Sequence, residues 1–234
     1  MRKDLNVIIS TLRFDEEIKQ ILLSNGYPAD QIFNLVDYYF YEDPEQYFSP
    51  DFMKYEIDEV FIDAGCYNLN SSLKFREHCG RLKKIYAFEP DPENYAVCLE
   101  KKMRFGLKEA QLFPAGVWSE KTELHFSVTN DGGSHISEEG AVTVPVVSID
   151  EIVDPTDRVT MIKMDIEGAE LEALKGAKKT IQKDKPKLAI CIYHKPEDMT
   201  EIPIYIKELV PEYQLYVRHH SNKETETVLY AVMS

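Results

Sequence analysis

The chain has 234 residues, enough for one α/β domain with a sizeable core and a short appendage. A hydrophobic fraction of 44% and a charged fraction of 29% favour a globular protein over a disordered one. Asp and Glu number 41 against 27 Lys and Arg, and the net charge of -14, with its basic residues scattered, argues against nucleic acid as a partner. A small neutral or cationic ligand remains compatible.

In chain order, Leu5–Ile9 reads as a strand, Phe14–Ser24 as a helix, and Gln31–Leu35 as a second strand after the Gly26-Tyr27-Pro28 turn. Such a βαβ unit is too small to bury its own apolar face. Residues 1–55 are therefore expected to form a βαβ/helical appendage, which either packs on the main domain or is the remnant of a longer upstream domain. The segment from Phe33 to Tyr55 is rich in Tyr and Phe, among them Tyr38, Tyr39, Phe40, Tyr41, Tyr47, Phe48 and Phe52. That band suits the roof of a substrate pocket and plain packing equally.

Residues 56–234 alternate apolar β-rich runs with helix-patterned stretches, the signature of an α/β fold with a largely parallel sheet. The strand expectations are Glu59–Asp63, Lys84–Phe88, Gln111–Ala115, Val159–Met164, Lys187–Tyr193, Gln214–Arg218 and Thr227–Val232. Helices are expected at Ser71–His78, Pro92–Phe105, Glu167–Lys183 and Ile202–Leu209. Leu124–Val128 and Ala141–Val147, around Gly132-Gly133-Ser134, read as an inserted antiparallel ribbon. The loop His219–Glu226 is too short for a crossover, so the last two strands form a hairpin and only the final strand runs backwards.

Cys66, Cys79, Cys98 and Cys191 contain no C-x-x-C pair, and no signal-peptide pattern opens the chain. Reduced, space-filling thiols and a cytoplasmic location are expected. No apolar run is long enough to cross a bilayer, so membrane insertion is not expected.

Four strand ends carry the chemistry. Val60-Phe61-Ile62-Asp63-Ala64-Gly65-Cys66-Tyr67 is a buried strand entering a glycine turn, where an open α/β sheet receives its ligand. Only Gly65 is present, so the dinucleotide fingerprint G-x-G-x-x-G is missing and an NAD-dependent oxidoreductase is disfavoured. Glu89, after Tyr86-Ala87-Phe88, stands where a carboxylate accepts the hydroxyls of a ribose. Asp165 and Glu167 follow the fourth strand and are candidates for substrate binding or proton transfer; Glu167 and Glu170 also fit as first-turn acids facing a helix dipole, and Glu170 is read that way. His194 ends the fifth strand and suits a general base. His219 and His220 lie in the terminal loop. No zinc spacing occurs. Asp165, Glu167 and His194 offer the donors a hard divalent ion takes, yet no metal centre is expected.

The ordered segments Asp63-Ala-Gly65, Phe88-Glu89-Pro90, Gly116-Val117-Trp118-Ser119 and Lys163-Met164-Asp165-Ile166-Glu167-Gly168-Ala169-Glu170 resemble the FkbM-type methyltransferases. The resemblance covers about Glu59 to Met233, leaving residues 1–55 outside it. It implies a class I, Rossmann-like sheet of seven strands with the last antiparallel, and S-adenosyl-L-methionine as cofactor. It further implies methylation of a hydroxyl on a sugar or glycoconjugate precursor or a secondary metabolite. On that pattern Asp63 and Gly65 shape the methionine side of the cofactor pocket, and Cys66 and Tyr67 offer backbone contacts. Glu89 holds the ribose, Gly116 and Val117 lie near the adenine, and Asp165 stands beside the methyl-transfer point. The base is expected to be His194 or Asp165, with Glu167 third. Leu69 departs from the pattern, standing where a glycine is common. Leu69 and the opening βαβ piece keep a non-catalytic S-adenosylmethionine-binding module as an alternative. The acceptor and the oligomeric state are not legible.

Overall fold

The computed structural model describes residues 5–11, 14–34, 43, 45–48, 50–128, 134–136 and 142–233. The chain divides into two compact units, Met1–Asp43 with His220–Glu224, and Pro44–His219 with Thr225–Ser234. In the smaller unit β1 (Val7–Ile9) and β2 (Ile32–Asn34) pair in parallel, with α1 (Asp15–Ser24) between them, while Tyr47, Phe48 and Phe52, expected with the appendage, fall in the larger unit. Asn34 Nδ2 donates to Asp15 Oδ2 at 2.6 Å, tying the end of β2 to the first turn of the helix. His220 Nδ1 lies 3.2 Å from Asp43 Oδ2 in the same unit. Tyr38, Tyr39, Phe40 and Tyr41, and likewise Gly132 and Gly133, lie outside the described residues.

In the larger unit the strands follow in order as β3 (Ile57–Ala64), β4 (Arg81–Phe88), β5 (Ala110–Phe113), β6 (Gly116–Val117), β7 (Thr122–Val128), β8 (Ser134–Ile136), β9 (Val142–Val147), β10 (Met161–Met164), β11 (Lys187–Cys191), β12 (Gln214–His219) and β13 (Thr227–Val232). The helices are α2 (Asn70–His78), α3 (Pro92–Arg104), α4 (Ile149–Ile152), α5 (Glu170–Gly176), α6 (Lys178–Asp184) and α7 (Asp198–Leu209). The main sheet has seven strands in the order β12-β13-β11-β10-β3-β4-β5. Pairing is parallel except along β13, which runs antiparallel to both β11 and β12. This is the seven-stranded Rossmann-like sheet expected from the sequence, with the expected reversal of the last strand. The connections leave β3 towards β4 on one side, while β10 closes on its other side. The topological switch therefore falls between β3 and β10, and a ligand crevice opens at their carboxyl ends.

The pleat explains why those strands read as unbroken apolar runs. Val60, Ile62 and Ala64 of β3 join one buried cluster with Tyr86, Phe88, Ile162 and Met164, against α5, α6 and α7. Phe61 turns the opposite way and packs with Ile85, Ala87 and Met161 against Phe75 of α2 and Cys98 of α3. The inserted ribbon is present as a second sheet of order β6-β9-β7-β8, with β7 antiparallel to β8 and β9.

The helices differ from expectation in three places: α4 is not among those expected, α7 begins at Asp198 and not Ile202, and the helix after β10 is divided. The pattern predicts a single helix over Glu167–Lys183, whereas the chain forms α5 and α6, joined at Ala177. Asp150 of α4 captures the amides of Lys179 and Thr180 at 2.9 and 2.8 Å, which gives α6 its own start. Glu167 and Gly168 precede α5 at φ 56° and 89°, so Glu167 stands in a left-handed turn and is not a first-turn acid.

Candidate active site

The crevice starts at the glycine turn after β3. The amides of Gly65 and Cys66 both donate to the Phe88 carbonyl, at 3.2 and 3.0 Å, folding the turn against the end of β4. Gly65 has φ 76°, and a Cβ built there would stand 1.9 Å from the Asp165 carbonyl oxygen. Two demands, a left-handed backbone and contact with the neighbouring strand end, thus require glycine at this place. Tyr67 (φ 50°) is exposed, and its amide donates to Glu89 Oε2 at 2.8 Å. Glu89 Oε1 accepts the Asp91 amide at 2.9 Å. Burial pushes the Glu89 carboxyl above its ordinary value, while the amides of Asp91 and Tyr67 and the Asn94 side chain hold it back only in part.

Other residues picked from the sequence sit deeper than a direct ligand contact would ask. Asp63 has no exposed surface; its Oδ2 accepts the hydroxyls of Ser71 and Ser72, both at 2.6 Å, and Oδ1 lies 3.5 Å from Lys163 Nζ. Cys66 is buried with its Sγ 3.7 Å from that of Cys98, and this contact together with burial pushes its thiol far up. Only the backbone of residue 66 is left to meet a ligand. Val117 packs into the core, while Gly116 lies beside Pro90 and Val146. Leu69 adopts φ 65°, the conformation for which a glycine would be chosen, yet its side chain is fully buried in the cluster of Phe61 and Phe75. It does not protrude into the crevice.

The second half of the site gathers at the ends of β10 and β11. Asp165 Oδ2 accepts the Tyr47 hydroxyl at 2.9 Å, and Oδ1 accepts that of Tyr193 at 3.3 Å. Burial would raise this carboxyl, but Lys163, His194 and Tyr47 outweigh it and hold Asp165 below the usual carboxylate range. His194, with 8% of its side chain exposed, brings Nε2 to 3.5 Å from Asp165 Oδ1 and 3.7 Å from Glu167 Oε2. Its Nδ1 lies 2.9 Å from Glu170 Oε1. Burial opposes protonation of the ring, yet Glu170, Asp165 and Glu167 prevail, and the imidazole pKa is raised. His219 turns away to Thr227, its Nδ1 2.9 Å from that hydroxyl. Asp165, Glu170 and His194 each bring one carboxylate or imidazole atom within 4.8 Å of the others, close enough to share a cation. Glu170, not the 81%-exposed Glu167, completes that trio.

Three residues escape the sequence reading. Lys163, 3% exposed, donates to the Gly65 carbonyl at 2.7 Å and the Ala64 carbonyl at 3.3 Å, so it braces the glycine turn from below. Burial works against its charge, but Asp63 and Asp165 raise its pKa and keep it an ammonium. A single Lys inside the apolar run Met161-Ile162-Lys163-Met164 was the available signal, since a buried cation needs a buried anion. Tyr47 shows that one member of the aromatic band reaches the site. Phe48 is core, and Phe52 stacks on Tyr216 with ring centroids 4.1 Å apart. The third is Glu170, read from the sequence as a helix-dipole acid but fully buried here against His194.

Among the described residues no helix is long and apolar enough to cross a membrane. The methyltransferase FkbM domain model matches residues 63–220. The chain is 29% identical over 134 residues to the hexuronic acid methyltransferase AglP of Haloferax volcanii, covering 54% of this chain and 53% of that protein. It is 23% identical over 200 residues to the 2-O-methyltransferase NoeI of Sinorhizobium fredii, covering 74% and 79% respectively. The crystal structure of methyltransferase FkbM from Methylobacillus flagellatus superposes with a TM-score of 0.67 at 29% identity, over 82% of this chain and 48% of that one. The chain spans about half the length of AglP and of the Methylobacillus protein. With residues 63–220 covered by that model, well over half of the chain, the chain belongs to the methyltransferase FkbM family.

Proposed function

We propose that this chain is an S-adenosylmethionine-dependent O-methyltransferase acting on a hydroxyl of a sugar or glycoconjugate precursor. The observation that carries the reading is His194, a buried imidazole at the end of β11, facing the Asp165 carboxylate at the end of β10. On this reading residues 56–234 form the methyltransferase domain, and Tyr47, which precedes that range but belongs to the same compact unit, donates its hydroxyl to Asp165. The activities of AglP and NoeI, on a hexuronic acid and at a 2-O position, support a carbohydrate acceptor.

The donor set fits the cofactor. A carboxylate offers about four lone-pair positions. Tyr67, Asp91 and Asn94 take at most three at Glu89, so the rim carboxylate retains capacity for a ribose hydroxyl. The family's cofactor supplies a methyl group already activated on a sulfonium. The protein's part is to align the acceptor oxygen and take its proton, the latter worth about 10²–10⁴-fold. His194 takes the proton, and Asp165, fixed by two tyrosine hydroxyls, stabilises the imidazolium. Leu69, with its side chain inside the core, gives the non-catalytic alternative no further support.

Titration calorimetry with S-adenosylhomocysteine, then mass-spectrometric assay of methyl transfer to a panel of hexuronic acids and neutral sugars, tests the proposal. Absence of cofactor-product binding would sink it. With an accepted sugar in hand, His194→Ala is expected to lower turnover at least about tenfold while leaving the Kd for S-adenosylhomocysteine unchanged. Unaltered turnover would remove His194 from the mechanism.

A further inference from the structure

Resting on that reading, we propose that Glu170 is the positioning carboxylate of His194: it holds the Nδ1 edge of the ring, so that Nε2 is the atom offered to the acceptor hydroxyl. Glu170 is fully buried and fixed, since its Oε1 also accepts the Ile166 amide at 2.9 Å. His194 Nδ1 is 2.9 Å from that same oxygen. A neutral imidazole carries one N–H and one lone pair, and a carboxylate can only accept. The N–H therefore belongs on Nδ1, and the basic lone pair on Nε2.

The surroundings of the ring agree. Nε2 faces Asp165 and Glu167 at 3.5 and 3.7 Å, two carboxylates that welcome a proton on that nitrogen once it arrives. Asp198, buried, adds a further acid beside Glu170, and burial with that neighbour raises its own carboxyl. The Tyr193 ring covers the imidazole at 4.1 Å between centroids. Neither His194 nitrogen makes an aligned hydrogen bond, so the 2.9 Å approach of Glu170 lies off the N–H axis in this state. Catalytic contacts of this kind commonly align only when substrate is bound.

In the step so arranged, the acceptor O–H bond breaks as an Nε2–H bond forms. The oxygen pair takes the methyl carbon, the carbon–sulfur pair stays with sulfur, and the imidazolium later returns its proton to water. Glu170 stabilises the imidazolium through Nδ1–H. It positions the base without touching the acceptor.

The test is nitrogen-15 NMR of histidine-labelled full-length protein, with S-adenosylhomocysteine added and the pH taken from 6 to 9. The neutral His194 ring is expected to show a protonated Nδ1 and a bare Nε2, an assignment that needs no variant. In Glu170→Gln the imidazole pKa should fall by about one unit, with Glu170→Asp restoring part of it. A wild-type ring protonated on Nε2, or a Gln variant with an unmoved pKa, would overturn the proposal. So would Mg²⁺ shifting the ring signals and EDTA reversing the shift, which would make the three side chains a cation site instead. Calorimetry on the same samples keeps the two readings apart. Lost S-adenosylhomocysteine binding by the wild type defeats the methyltransferase reading alone, whereas a wrong tautomer defeats the role of Glu170 alone.

Discussion

Glu89→Gln is the sharpest probe of the cofactor pocket, because it preserves shape while changing one atom from acceptor to donor. The carboxylate is 6% exposed and receives a backbone amide on each oxygen, at 2.8 Å from Tyr67 and 2.9 Å from Asp91. A glutamine can satisfy only one of those amides; its NH₂ then confronts the other, or turns towards the ribose as a donor. In either pose a charged hydrogen bond to the sugar is lost, worth about 1.5–3 kcal/mol. The Kd for S-adenosylhomocysteine should therefore rise roughly 10- to 100-fold by titration calorimetry. The penalty should vanish against an analogue lacking the ribose hydroxyls, which the wild type itself binds poorly. A Gln variant that binds within twofold of wild type, with the melting temperature unchanged, would refute the assignment of this carboxylate to the ribose.

Two further outcomes follow from the buried charges. Lys163→Met leaves Asp63 with its two serine donors but no cation, and breaking a buried pair from one side costs about 3–5 kcal/mol. Urea unfolding should show that loss, and adding Asp63→Asn should recover part of it; a loss under 1 kcal/mol would mean Lys163 is not paired as described. Asp157 is an acid-sensitive tie in the larger unit: burial would raise its carboxyl, but Lys83, Tyr86 and Lys84 outweigh it and hold it at about 2, below the ordinary 3.8. A depressed folded pKa gives stability that is full above the ordinary value and drains as pH falls towards 2, about 2 kcal/mol in all. Asp157→Asn should lose that amount at pH 7 and match the wild type near pH 2, and a pH-independent difference would show that charge is not the cause.

What the sequence makes legible is whatever a local period encodes. The runs of β3, β4 and β11 read as buried strands because both faces of the pleat are covered, and Asp91-Pro92 marks the start of α3. The Asp91 side chain indeed caps the amides of Glu93 and Asn94. The break between α5 and α6 is not local: Asp150, from another helix, supplies it. Glu170 is misjudged for the same reason. Its spacing after Glu167 looks like dipole chemistry, while its partner, His194, arrives from the next strand 24 residues on. Tyr47 and Phe48 are adjacent aromatics of one band, yet one donates to a site acid and the other fills the core, a difference set by burial partners and not by residue type.

The acids of this crevice carry different tasks although each stands at or beside a strand end, and their neighbours decide which. Asp63 meets two hydroxyls and an ammonium with no exposed surface, so it can only brace; Lys163 passes that brace on to the carbonyls of residues 64 and 65. Glu89 meets only neutral donors at the rim, which leaves its charge available for an uncharged polar ligand. Asp165 meets Lys163 on one side and His194 on the other, so its charge is already engaged at both, and taking up a proton there would weaken both. A base must be able to gain a proton without dismantling its support. Of the two leading candidates only His194 meets that condition, because every carboxylate around it is stabilised when the ring becomes charged.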